Sequence, residues 1–189
     1  MTPARPWPAD LAPLRVLGLM SGTSLDGMDA VLVRFERRGG RLHWTVVARA
    51  QADFAPALRA RLLRSIEPGG ADAIELTQLH AEVGEAYADL CATVASDHAV
   101  DLIALSGQTV YHIPRVDPAR GWRTVSTLQL GEPTRVLERC GVPVVSDFRQ
   151  GDLAAGGQGA PMVPFGDLHL FAAAGVRRAV HNLGGIGNV

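Results

Sequence analysis

The chain has 189 residues, of which 47% are hydrophobic and 20% charged, with a formal net charge of −1 at pH 7. That length buries a real core, in one large domain or one and a half ordinary ones. The balanced charge gives no electrostatic case for nucleic acid or an anionic membrane as a partner. No apolar run approaches the roughly 18 residues of a membrane span. The proline-rich opening, MTPARPWPADLAP, lacks the apolar core of a secretory signal, so a soluble cytoplasmic protein is expected. Cys91 and Cys140 have no metal-ligand spacing and read as small buried hydrophobes in a reducing compartment.

Residues 1–13 are expected to form a disordered arm. Val16–Met20 then reads as a first buried strand. Met28–Glu36 reads as a second, with Val33 and Phe35 on one face and Arg34 and Glu36 on the other. Gly39-Gly40 predicts a tight reversal into a third strand, Arg41–Ala50, with Leu42, Trp44, Val46 and Ala48 on one face. The period then changes. Leu58, Leu62 and Ile66 predict a short helix that ends at Pro68-Gly69-Gly70. Asp72 is a candidate cap for the longest helix, whose stripe is Leu76, Leu79, Val83, Tyr87, Leu90 and Val94. His80 and Glu82 lie beside that stripe as boundary residues. Asp101–Ser106 is a buried strand, placed parallel beside the meander. Thr109–Ile113 and Trp122–Leu130 are extended. A helix opens at Gly131-Glu132-Pro133 and stops at Cys140-Gly141, and Val142–Val145 is another short strand. Residues 150–161 read as a glycine-rich loop, followed by a helix marked by Met162, Phe165, Leu168 and Phe171. Arg177–Leu183 reads as a last strand that enters a second glycine-rich turn. A meander followed by alternating helices and strands fits a mixed sheet with helices on both faces.

The stretch between the first two strands holds Ser21, Gly22, Thr23, Ser24, Asp26, Gly27 and Asp29. Two readings stand side by side. One is an ordinary hairpin turn. The other is a nest of backbone N–H groups for phosphate, with Asp26 and Asp29 suited to a phosphate that carries Mg²⁺. There is no G-x-G-x-x-G after the first strand and no P-loop motif, so neither dinucleotide nor Walker-type binding applies. The last strand and turn echo the opening ones in kind, as if a second, similar lobe began there.

The segments GLMSGTSLDGMDAVLV, SGQTVYHIP, LQLGEPTRV, VVSDFRQGDLAAGGQGAPMVPFGD and NLGGIGNV resemble the successive motifs of the anhydro-N-acetylmuramic acid kinases, within the actin-like sugar kinases. The resemblance implies an α/β fold: an actin-like (ribonuclease H-like) ATPase lobe over 14–175, with a second lobe begun at 176–189. It implies ATP and Mg²⁺, the small-molecule substrate 1,6-anhydro-N-acetylmuramic acid, and a role in cell-wall recycling. Water adds at the anomeric carbon, the anhydro bridge opens, and the released oxygen at position 6 is phosphorylated. A homodimer is implied for the full-length protein.

On this resemblance, Gly22, Thr23, Ser24, Leu25, Asp26, Gly27, Met28 and Asp29 cradle the ATP phosphates, and Asp26 holds Mg²⁺. Asp147, at the end of a buried strand, is the general base, with a turn or helix cap as its alternative. Gln108, Thr109, His112, Glu132 and Arg149 face the sugar. Their alternatives are a structural histidine for His112, a helix-dipole carboxylate for Glu132 and a surface ion pair for Arg149. Loop 156–159 is either an anion-binding turn or a hinge. Ser106 departs from the family pattern, which often has a histidine before Gly-Gln-Thr. Family members are close to twice as long, so the chain alone is expected to be an inactive kinase lobe. Two other readings remain: a non-catalytic sugar- or nucleotide-binding lobe, and an actin-like nucleotide switch.

Overall fold

The computed structural model describes residues 11–181. Strand β1 (Leu11–Ser21) runs antiparallel to β2 (Met28–Arg38), and β2 to β3 (Arg41–Ala52). Gly39 and Gly40 have φ of 55° and 78°, the left-handed pair that a two-residue hairpin turn requires. Helices α1 (Pro56–Ser65) and α2 (Ala73–Asp97) follow. Asp72 caps α2, its Oδ1 accepting from the Glu75 N–H at 2.8 Å. The chain returns as β4 (Leu102–Leu105), parallel to β1. A separate hairpin, β5 (Gln108–Ile113) with β6 (Ser126–Leu130), leads to α3 (Pro133–Cys140). Gly141 stops α3 with φ of 64°. Strand β7 (Val144–Val145) pairs parallel with β4, and helices α4 (Phe148–Ala154) and α5 (Val163–Phe171) close the described chain.

The main sheet has the order β3-β2-β1-β4-β7. Its inward face carries Leu17, Leu19, Ala30, Leu32, Ile103 and Leu105. These pack against Leu79, Val83, Tyr87, Leu90 and Val94 of α2, Leu58 and Leu62 of α1 and Val136 of α3. Burying each large aliphatic side chain contributes about 1.5–3 kcal/mol, so this layer holds the edge on which the site is built. An ion pair fixes where β4 enters. Arg15 Nε and its backbone N–H both donate to Asp101 Oδ2, at 3.0 and 2.8 Å, and Arg15 Nη2 donates to Oδ1 at 2.9 Å.

Several expectations change. β1 begins at Leu11 rather than Val16, so part of the expected arm is strand; the rest of it, 1–10, lies outside the described residues. Pro13 is tolerated because the register shifts between Leu11 and Leu14, and β4 reaches only Val16–Leu19. In β3, Ala48 pairs with Leu32 and Val46 with Val33, so Val47 is bulged out. The bulge puts Val46, Trp44 and Leu42 on the opposite face from Ala48, where one continuous face was expected. Trp122–Val125 is not strand, and α4 occupies the start of the expected glycine-rich loop. Residues 177–181 form no strand, and the second glycine-rich turn, in 182–189, lies outside the described residues. No helix among the described residues is long and apolar enough to cross a membrane.

Candidate active site

Strands β1, β4 and β7 are parallel, so they end on one edge of the sheet. Ser21, Ser106 and Ser146-Asp147 therefore leave the sheet side by side. The carboxyl ends of parallel strands are where open α/β sheets place their ligands.

The turn after β1 is closed by the Leu25 N–H, which donates to the Gly22 carbonyl at 3.1 Å. Leu25 is fully buried and has φ of 57°. Its side chain anchors the turn in the core, while its carbonyl accepts from Arg59 Nε at 2.7 Å. Thr23 and Ser24 are exposed, and neither their amides nor their hydroxyls bond to another described residue. Open N–H and O–H donors on a rigid turn fit an anion. An added Cβ on Gly27 would lie 2.9 Å from the Ala52 carbonyl oxygen, so only glycine lets the turn close against β3. Asp26 is largely exposed, with its Oδ1 3.8 Å from Arg59 Nη2. It borders an open cleft of ≈ 510 Å³ that is also lined by Asp53, Phe54, Arg59 and Leu63. Asp29 instead accepts from Gln51 Nε2 at 2.5 Å. No group of three or more His, Cys, Asp or Glu able to hold a metal occurs among the described residues. A Mg²⁺ ion here would take one protein carboxylate, Asp26, and draw its other oxygens from phosphate and water, the usual pattern for that ion.

Asp147 also has a left-handed backbone, with φ of 59°. It and Leu25 are the two non-glycine residues in that region among the described residues. Strain of this kind collects at functional sites. Asp147 sits at the N-cap position of α4, yet its side chain makes no capping hydrogen bond and is exposed. The alternative of a capping aspartate does not describe it; the carboxylate is left open.

Arg149, two residues on, donates from Nη1 to the Gly159 carbonyl at 2.6 Å. Asp152 Oδ2 accepts from the Gly159 N–H at 2.7 Å, and the Gly157 N–H donates to the Asp152 carbonyl at 2.8 Å. The Gly156 N–H goes to the Leu153 carbonyl at 3.0 Å. With these amides spent inside the loop, 156–159 is a knot tied to α4 and Arg149 rather than an open anion nest.

The β5–β6 hairpin carries the segment expected to face the sugar. Thr109 pairs with Gln129 and His112 with Thr127, which puts these four on one face. Gln129 Nε2 bridges Thr109 Oγ1 at 3.1 Å and Thr127 Oγ1 at 2.7 Å. Gln150 of α4 donates to the Thr127 carbonyl at 3.1 Å, tying this hairpin to the helix that begins at Asp147. His112 Nδ1 is buried without a partner, so His112 is not the satisfied structural histidine of the alternative reading. Gln108 is fully buried and donates to the Gly22 carbonyl at 3.1 Å and the Thr109 carbonyl at 3.2 Å. Ser106 donates its hydroxyl to the Gly107 carbonyl at 3.2 Å.

Glu132 caps α3. Its Oε1 accepts from the Thr134 N–H at 3.1 Å and hydroxyl at 2.8 Å, which hold the carboxyl below the usual glutamate range. Its Oε2 meets His80 Nε2 at 3.0 Å. His80 Nδ1 accepts from the Gly131 N–H at 3.1 Å, so Nε2 carries the ring proton and donates. Sequence reading placed His80 beside the apolar stripe as a surface or boundary residue; in the fold it orients Glu132. Tyr87, Gln129, Thr127 and Arg59 were also missed as parts of the site. Tyr87 lies in an apolar stripe of helical spacing and reads as core, and no local signal marks its hydroxyl.

The fold and this edge define one lobe of an actin-like sugar kinase, with a mixed sheet whose first hairpin turn lies beside the open ends of two parallel strands. The profile of the family described as anhydro-N-acetylmuramic acid kinase matches residues 14–189. The chain belongs to that family. It is 42% identical over 179 residues to the "Anhydro-N-acetylmuramic acid kinase" of Salinibacter ruber, covering 92% of this chain and 45% of the relative. It is 41% identical to the protein of the same name from Synechococcus elongatus, covering 93% and 46%. For that of Caldanaerobacter subterraneus the identity is 36%, covering 92% and 45%. The chain thus spans about half the length of the curated relatives it matches.

Proposed function

We infer that this lobe serves an ATP-dependent kinase that opens 1,6-anhydro-N-acetylmuramic acid with water and phosphorylates O6, giving N-acetylmuramic acid 6-phosphate for cell-wall recycling. The observation that carries the reading is Asp147: an uncapped, exposed carboxylate on a strained backbone, on the same sheet edge as the Gly22–Asp29 turn. In this reading the carboxylate takes a proton from water as that water attacks the anomeric carbon. The bond from that carbon to O6 breaks, leaving O6 free to accept the phosphoryl group. Bound ATP supplies that group, and Mg²⁺ offsets its charge.

The chain's own residues bind and orient. The free donors of Thr23 and Ser24 receive phosphate oxygens, and Asp26 faces the metal. Thr109, His112 and Glu132 read sugar hydroxyls and the acetamide; Gln108, expected to face the sugar with them, is fully buried and holds the Gly22 and Thr109 carbonyls instead. Arg149 presents the guanidinium nitrogens not bound to Gly159 to the lactyl carboxylate. With a sizeable second lobe needed to close the cleft, the 189 residues hold one side of the site, and the chain alone turns over no sugar. A cytoplasmic location and a homodimer of the longer protein belong to the same proposal.

The test is calorimetric titration of the chain with MgATP and with the anhydro-sugar. Binding of both supports the reading. Binding of neither by a folded chain removes the nucleotide and sugar assignments from this edge. Binding of MgATP without the sugar favours the nucleotide switch.

A further inference from the structure

Two buried side chains grip the Ser21–Gly22 corner from different directions. From α2, the Tyr87 hydroxyl meets Ser21 Oγ at 2.5 Å, and Tyr87 is fully buried. From the head of β5, the Gln108 amide reaches the Gly22 carbonyl, the same oxygen that accepts the turn-closing Leu25 N–H. These contacts act at and beyond the last β1–β2 pair, Ser21 with Met28. The meander does not need them for its register.

Gln108 is a costly residue for packing alone. Its Oε1 is buried with no partner, a burden that an apolar side chain of the same shape would not carry. Each grip also belongs to a sugar segment. Gln108 opens the hairpin of Thr109 and His112. The Tyr87 ring lies under Gly131, where an added Cβ would come within 2.6 Å of Cε2, and Glu132 follows directly.

The geometry points to Gln108 and Tyr87 as positioning residues that preset the phosphate turn and link its occupancy to that of the sugar segments. The inference rests on the proposed nucleotide reading of Gly22–Asp29. Neither side chain touches a reacting group. Each fixes a backbone or hydroxyl group of the turn, so a ligand that orders the hairpin or Gly131-Glu132 also orders the turn. Linkage makes the effect reciprocal: each ligand tightens the other by the same factor.

The test compares the chain with its Tyr87→Phe and Gln108→Met variants, which keep shape and remove one grip each. Thermal unfolding confirms that both are folded. Amide hydrogen exchange at Leu25 reports the turn without any ligand. It is expected to quicken by roughly three- to tenfold in each variant, the loss of about one net hydrogen bond, with Leu17 and Leu32 unchanged. Titration then reads the link. In the wild type, MgATP and 1,6-anhydro-N-acetylmuramic acid each tighten the other several-fold. In the variants that mutual effect disappears. Wild-type exchange at Leu25 in both variants overturns the presetting. Mutual tightening of wild-type size in both variants, or none in a wild-type chain that binds both ligands, overturns the link. A wild-type chain that binds no nucleotide counts against the proposed function and overturns the link with it, while the exchange result still decides the presetting.

Discussion

At the scale of single residues, the lobe depends on carboxylates held in different ways. Asp147 is open, Glu132 is held by Thr134 and His80 with acceptor capacity to spare, and Asp101 is locked by Arg15. The Arg15 side chain, then its backbone N–H, holds the Asp101 carboxyl down at about 2. An unfolded aspartate titrates near about 3.9. The folded value is the lower one, so the pair stabilises the fold above about pH 4, and that stability is lost as pH falls towards about 2. Asp101→Asn should therefore lower the midpoint of thermal unfolding at pH 7, and the gap to the wild type should close between about pH 4 and about pH 2. A gap that stays constant over that range contradicts the assignment. Arg59 gives a second test. It binds the Leu25 carbonyl and lies near Asp26. Arg59→Ala should weaken MgATP binding to the chain by several-fold and leave sugar binding unchanged. Equal weakening of both ligands would show a general loss of structure instead.

At the scale of elements, the meander, the long helix and α3 were readable because their signals are local. Paired glycines, an aspartate cap, an apolar stripe and a proline–glycine bracket each specify a boundary. The Val47 bulge was not readable, because alternation in β3 looks continuous until its pairing with β2 is known. Helix α4 was hidden by Gly151 and the glycines after it, which read as loop. What holds α4 in place is tertiary: Gln150 on Thr127, and Arg149 and Asp152 on Gly159. The site was legible as a set of motifs, but its supports were not. Tyr87, His80 and Gln129 are spread across α2 and β6, and only folding brings Tyr87 to Ser21, His80 to Glu132 and Gln129 to Thr109. One tight junction is between α2 and the head of α3. An added Cβ on Gly84 would lie 2.8 Å from both the backbone nitrogen and oxygen of Glu132. Gly84→Ala should cost about 1–3 kcal/mol, as overpacked positions do, despite alanine's better helix propensity. Urea unfolding measures it; a variant as stable as the wild type would show that the junction yields.

At the scale of the whole molecule, the inward sheet face is filled by three helices, while the outward one is only thinly covered. There, Phe171 of α5 meets Trp44 edge-on, with ring centroids 6.3 Å apart, and Leu42 and Trp44 remain substantially exposed. The candidate site therefore lies on one edge of a sheet whose core does not depend on ligand. The proposed function turns on Asp147 activating water for opening of the anhydro-sugar on that edge. The most direct measurement uses the chain joined to the part of the Salinibacter ruber relative that lies beyond the match. Turnover of 1,6-anhydro-N-acetylmuramic acid and ATP is followed in ¹⁸O-water by mass spectrometry. The account predicts one ¹⁸O at the anomeric carbon, phosphate on O6, and a rate about 10²- to 10⁴-fold lower in Asp147→Asn with MgATP binding unchanged. Full activity in Asp147→Asn, or product without the label, would contradict it.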